Sequence, residues 1–200
     1  MSYPDFFDRV PRLRVCDPLA AFLGASDDGV MEYAYHDAVR LAGHSCPTVA
    51  SAYRIAILAL SRLYEGEMPE RGGVTVEFRQ KEDEGVAGVM AAVATLLTGA
   101  AGPAGFRGLG GRFCRRGLLR FGAPLPLEFR YTRLDTGRRV DCAVDLSQVP
   151  GDPAIPSLMQ ECLRGRAGKD EQRHFAELWQ GRVRRLLIDH WDDTRVFHAE

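Results

Sequence analysis

The chain has little of what would set it apart from ordinary globular proteins. It has no CxxC pair: its five cysteines, Cys16, Cys46, Cys114, Cys142 and Cys162, are scattered and odd in number, which argues against a disulfide framework and against a zinc ribbon. It has no long apolar run. The longest, 86–97, spans 12 residues and is rich in alanine, whereas a membrane span needs about 20. It has no excess of charge, with 26 Lys and Arg against 27 Asp and Glu for a net charge of −1, so there is no global electrostatic case for nucleic acid or an anionic membrane surface. The first residues, Met1 to Asp5, lack the basic start and apolar stretch of a signal peptide, and a cytoplasmic location is the default expectation. No repeat of fixed period and no low-complexity tract occurs. What is present is 200 residues that are 46% hydrophobic, enough for one domain with a sizeable core, or one domain plus an appendage.

The apolar pattern sets out the elements. A short helix is expected near 18–23. Asp27 or Asp28 can cap a helix reaching about Leu41, with Val30, Ala34, Ala38 and Leu41 on its apolar face. Gly43 suits a left-handed stop of that helix. Pro47 sits where proline is welcome, in the first turn of a new helix running to about Tyr64. Its stripe of Val49, Ala52, Ala56, Ala59 and Leu63, widened by Ile55, Ile57 and Leu58, marks it as central and buried. Val74, Val76 and Phe78 alternate with polar residues as in a half-buried strand. An alanine-rich helix over 86–98 leads into a glycine-rich loop, 99–111, with a short strand candidate at 118–121. Two alternating runs flank Asp135-Thr136-Gly137, the signature of a β-hairpin. Pro150, Pro153 and Pro156 mark a linker before helices over about 156–165 and 171–189. Helices, strand, helix, strands, helices is an α+β order with a mixed or antiparallel sheet, not a βαβ repeat. The regions are an N-terminal segment, 1–25, an α+β core, 26–150, and a C-terminal helical extension, 151–200, packing on the core or on a dimer mate.

The chemistry concentrates at Gly43-His44-Ser45-Cys46-Pro47. An imidazole and a thiol stand two residues apart at the mouth of a helix, and both are metal ligands, with zinc the first expectation. A thiol at a helix N-terminus also feels the positive end of the dipole, which favours thiolate. The competing reading is that Cys46 caps the helix and His44 hydrogen-bonds locally. A Cys-Pro pair can also ligate haem iron, so a haem-binding or sensor module is the alternative.

These residues, with Ala52-Tyr53-Arg54 on the following helix, resemble the FmdE-like family, which takes its name from an accessory polypeptide of formylmethanofuran dehydrogenase and whose pattern reads H-G-H-x-C-P and then G-Y-R. Thr98-Gly99 before the glycine-rich loop and the C-terminal layout from Leu163-Arg164-Gly165 onward also match, over roughly residues 25 to 197. The chain departs from the pattern at Ala42, where the family has histidine, at 84–87, where no cysteine occurs, and at Ala100, where the family has cysteine. The resemblance implies an α+β core, a homodimer and a metal-linked His/Cys site, not formylmethanofuran chemistry. It also admits an accessory protein that docks on a larger redox enzyme through the C-terminal helix with Trp179 and Trp191.

Two ligands rarely suffice for zinc. His36, two turns before His44, is the next candidate, against the reading of a solvent-exposed histidine. Cys114 follows, with Arg112, Arg115 and Arg116 beside it; the bland reading there is a thiol in a basic loop. His198 is a weaker candidate. Tyr53 and Arg54 are possible additions, Arg54 either as an anion hook or as a partner of Glu77 or Glu82. Cys142 and Cys162 read as small core residues.

Overall fold

A computed structural model of the chain describes residues 3–200. The elements are β1 (Leu13–Cys16), α1 (Pro18–Phe22), β2 (Val30–Tyr33), α2 (Tyr35–Ala42), α3 (Pro47–Tyr64), β3 (Val74–Phe78), α4 (Ala87–Thr98), β4 (Leu119–Arg120), β5 (Phe129–Arg133), β6 (Arg139–Val144), α5 (Ile155–Leu163), α6 (Lys169–Arg184) and β7 (Phe197–Ala199). Short 3-10 turns at Asp5–Arg9 and Leu146–Gln148, and a π-turn at Arg185–Asp189, complete them. The fold is α+β.

Five strands form the main sheet in the order β4-β3-β5-β6-β7. Only β3 and β4 run parallel in it; the other pairs are antiparallel. The register places Val76 beside Tyr131 and Tyr131 beside Val140, with Phe78, Phe129 and Cys142 in the next row. All six are buried. The period of two therefore gives the sheet one apolar face, and α3 packs there against β5, β6 and β7. Thirteen of the 18 residues of α3 are buried, as its apolar stripe predicts, and α4 closes its other side. The hairpin turn closes at Gly137, whose φ of +69° lies in the left-handed region and whose N–H donates to Arg133 O. No helix among the described residues is long and apolar enough to cross a membrane.

Three expectations need correction. Val30 does not begin a helix. Residues 30–33 form β2, antiparallel to β1, a strand that lies in a segment whose pattern assigns no structure. Asp28 caps no helix; its side chain accepts from Val30 N and Ser26 Oγ, and Gly29, at φ +72°, turns the chain into the strand. The helical phase of Ala34, Ala38 and Leu41 is real, but α2 starts only at Tyr35, where Asp37 reaches back to accept from the Ala34 N–H. The third concerns the chain end: β7 joins the edge of β6, which local pattern cannot announce because its partner lies more than 50 residues away.

Candidate functional site

The Gly43–Pro47 turn forms as its residue types dictate. Gly43, at φ +75°, ends α2 with its N–H on Val39 O. Cys46 is extended, at φ −149°, and begins α3; its sulfur accepts the Val49 N–H at 3.5 Å and its carbonyl accepts from Ala50 N. Pro47 fills the first helical position, where no N–H is needed. His44 is exposed, with Nδ1 2.9 Å from Ala42 O. That contact assigns the proton to Nδ1, since the carbonyl only accepts, and leaves Nε2 as the free acceptor nitrogen.

The last helix clamps this turn from across the chain. Trp179 Nε1 and Gln180 Nε2 both donate to Ser45 O, at 3.0 and 3.1 Å. Ser45 Oγ donates to Gln180 Oε1 at 3.0 Å and pairs with Tyr35 OH at 3.0 Å. Because the Ser45 hydroxyl proton goes to Gln180, Tyr35 is the donor of that pair, and burial pushes its hydroxyl above the usual range. Three elements, α2, α3 and α6, thus set the backbone between His44 and Cys46.

The remaining expected residues lie elsewhere. His36 is largely buried: its ring sits edge-on to Tyr3 and Phe7, with Nε2 3.8 Å from Asp8 Oδ1, so the expected solvent-exposed histidine is not found. Tyr53 is fully buried and donates between Pro11 O and Tyr33 O. Arg54 pairs with neither Glu77 nor Glu82. Its Nε donates to Trp191 O at 2.6 Å, Nη2 lies 3.6 Å from Asp192, and the guanidinium stacks 4.5 Å from the Trp191 ring. Cys142 is core, as expected, and burial pushes its thiol up to about 12. Cys162 is only half-buried on α5, not core. His198 is on β7, 3.5 Å from Glu200. Cys114 is exposed in the loop after the glycine-rich segment, its sulfur 3.8 Å from Arg116 O. Among the described residues, no group of three or more His, Cys, Asp or Glu gathers as a metal cluster would.

The most concentrated electrostatics centre on Asp17, which no motif singles out, together with Arg71 and with Arg115 from the basic loop. Asp17 is 3% exposed. Its Oδ1 accepts from Leu19 N, Ala20 N and Arg115 Nη2, at 3.0, 3.2 and 2.6 Å, and its Oδ2 from Arg71 Nη1 at 2.9 Å. Burial opposes the carboxylate's charge, but the Arg71 hydrogen bond, the Arg115 charge and the Ala20 N–H outweigh it and hold the carboxyl below its usual range. Arg71 is delivered by the chain around it, since Cys16 N donates to Pro69 O and Arg71 N to Cys16 O. Arg115 arrives from the glycine-rich loop, which doubles back so that Ala101 N donates to Arg115 O. Two signals in the sequence lead here: Asp17-Pro18, a helix-start pair, with α1 indeed capped by Asp17, and the basic run of Arg112, Arg115 and Arg116 after the glycine-rich loop.

Compared with known proteins, the chain matches no family model and no curated protein.

Proposed function

We propose that the protein is a metal-binding protein of the FmdE-like kind, with His44 and Cys46 as the chain's ligands and zinc as the metal. The observation that carries this reading is the His44–Ala42 contact. Tying Nδ1 to a backbone carbonyl is how a ligating histidine is oriented, because it presents Nε2 with its lone pair free. The Cys46 sulfur two residues on lies at the start of α3, beside the first turn of that helix. An imidazole nitrogen and a thiolate are a donor set that fits zinc. The metal would supply Lewis acidity and lower the pKa of a bound water; the chain's part is to hold both donors on a backbone fixed by Trp179 and Gln180.

A chain that provides two ligands needs the rest from a homodimer mate, water or substrate. Homodimerisation goes with this reading, and a reducing, cytoplasmic compartment is what keeps Cys46 a free thiol.

The test separates ligation from capping. Cys46→Ser keeps an oxygen at the cap, where serine is a preferred residue, and removes the sulfur. Elemental analysis of protein purified without chelator should give stoichiometric zinc in wild type and loss of it in both His44→Ala and Cys46→Ser, with folding preserved. Zinc retained in both variants, or absent from wild type, overturns the proposal. A Soret band formed with one equivalent of hemin and lost in Cys46→Ser would replace zinc with haem.

A further inference from the structure

The Asp17–Arg71–Arg115 cluster forms the floor of a cleft of about 400 Å³ lined by Pro18, Glu70, Gly72, Arg112, Phe113 and Cys114 besides the two arginines. Three observations about it go together. First, the charges do not balance. Arg71 and Arg115 share one buried carboxylate, Asp17, an excess of one positive charge at a partly desolvated place, while Glu70 and Arg112 stand exposed at the rim. Burying a charge without a counter-ion is costly. Second, Arg115 is only 6% exposed, and its Nη1 is buried without a hydrogen-bond partner. Asp17 does not serve that nitrogen: its Oδ1 accepts from Leu19 N, Ala20 N and Arg115 Nη2, and its Oδ2 from Arg71 Nη1. Third, the backbone is shaped around the guanidinium. A Cβ on Gly72 would lie 1.9 Å from Arg115 Nη1, and one on Gly99 would lie 2.7 Å from it. Both glycines have positive φ, +88° and +73°.

We propose that this cleft binds the oxyanion group, carboxylate or phosphate, of a small soluble ligand, held by Arg115 at the floor and by Arg112 at the rim, while Arg71, whose Nε and Nη2 donate to the Leu96 and Thr95 carbonyls and whose Nη1 donates to Asp17, adds positive charge. Guanidinium suits this task because its planar fork of N–H donors matches the paired oxygens of such groups. Arg112 is exposed and rests 4.7 Å from the Phe113 ring, with no carboxylate partner of its own among the described residues, so it is free to close on an anion. The open, polar mouth favours a compact charged molecule over an apolar one. This inference stands apart from the metal reading: it uses none of the residues of the Gly43–Pro47 turn.

Cys114 lines the same cleft and is exposed, which makes it a local reporter. Its alkylation by neutral iodoacetamide, followed by peptide mass spectrometry, is measured with inorganic phosphate, with succinate, and with chloride at matched ionic strength. With a dissociation constant of about 1 mM, about 10 mM of the fitting anion should slow Cys114 roughly tenfold, while Cys162 on α5 keeps its rate. Arg112→Ala, a surface change, should weaken that protection several-fold, and Arg115→Gln should remove it. Protection by phosphate alone or by succinate alone supports the proposal and names the oxyanion. It is overturned if neither anion slows Cys114, if chloride protects equally, or if protection is unchanged in Arg112→Ala.

Discussion

Cys46 shows how one side chain can serve a fold and a site together. Its sulfur takes up one N–H of the first turn of α3, so removing it has a structural cost separate from any ligand. Cys46→Ala should destabilise the protein by about 1 kcal/mol, and Cys46→Ser by less, in urea unfolding. The same residue scale sorts the thiols. Cys142 is fully buried with its thiol pushed up to about 12, so it should resist alkylation at neutral pH in the folded state while Cys114 reacts. Arg54 marks the limit of local pattern. That an arginine on so apolar a helix needs a partner is legible in the sequence, but the partner is not. It is a carbonyl and a carboxylate at Trp191 and Asp192, the first of them 137 residues on. Arg54→Ala should cost about 2 kcal/mol, through the lost hydrogen bond and the lost stacking on Trp191.

Among elements, those carried by their own pattern emerged where expected. The long helix α3 is launched by Pro47, and α4 stops at Gly99, at φ +73°; β3 alternates; the β5–β6 hairpin turns at Gly137. Each is specified within a few residues of itself, by a period or a turn. The strands that escaped, β1, β2 and β7, are 3–4 residues long, too short to show a period, and each exists because a distant partner supplies its hydrogen bonds. The clamp of α6 on the Gly43–Pro47 turn is of the same kind. The amphipathic character of α6 predicts a packed face, but not that Trp179 and Gln180 would hold Ser45 O. Trp179→Phe keeps an aromatic ring and deletes one of those bonds. It should lower stability by about 1 kcal/mol and raise amide exchange at His44 and Cys46 above that of the middle of α3, as hydrogen-exchange mass spectrometry would detect.

For the molecule as a whole, Asp17 is the point where distant parts meet: α1, the segment before β3 and the return of the glycine-rich loop. Its carboxyl is held below the ordinary value of 3.8 in the folded state. A lowered folded pKa gives stability that is fully present above the unfolded value and lost as pH falls through the folded one. Urea unfolding between pH 6 and about 2 should therefore show stability falling below roughly pH 4. Asp17→Asn should be weaker at neutral pH and lose part of that acid slope.

The amino-acid sequence by itself determined the α+β class, the central buried helix, the hairpin and the placement of His44 and Cys46 at a helix start, because periodicity, turn chemistry and capping act over a few residues. Only the tertiary structure decided that His36 packs on Tyr3 and Phe7 away from any ligand cluster, that Arg54 is taken up by the chain's last segment, and that Asp17, Arg71 and Arg115 converge under a cleft. Those outcomes depend on which buried charges and donors come within about 3 Å of one another, and burial makes each such pairing obligatory without leaving a local mark in the order of residues.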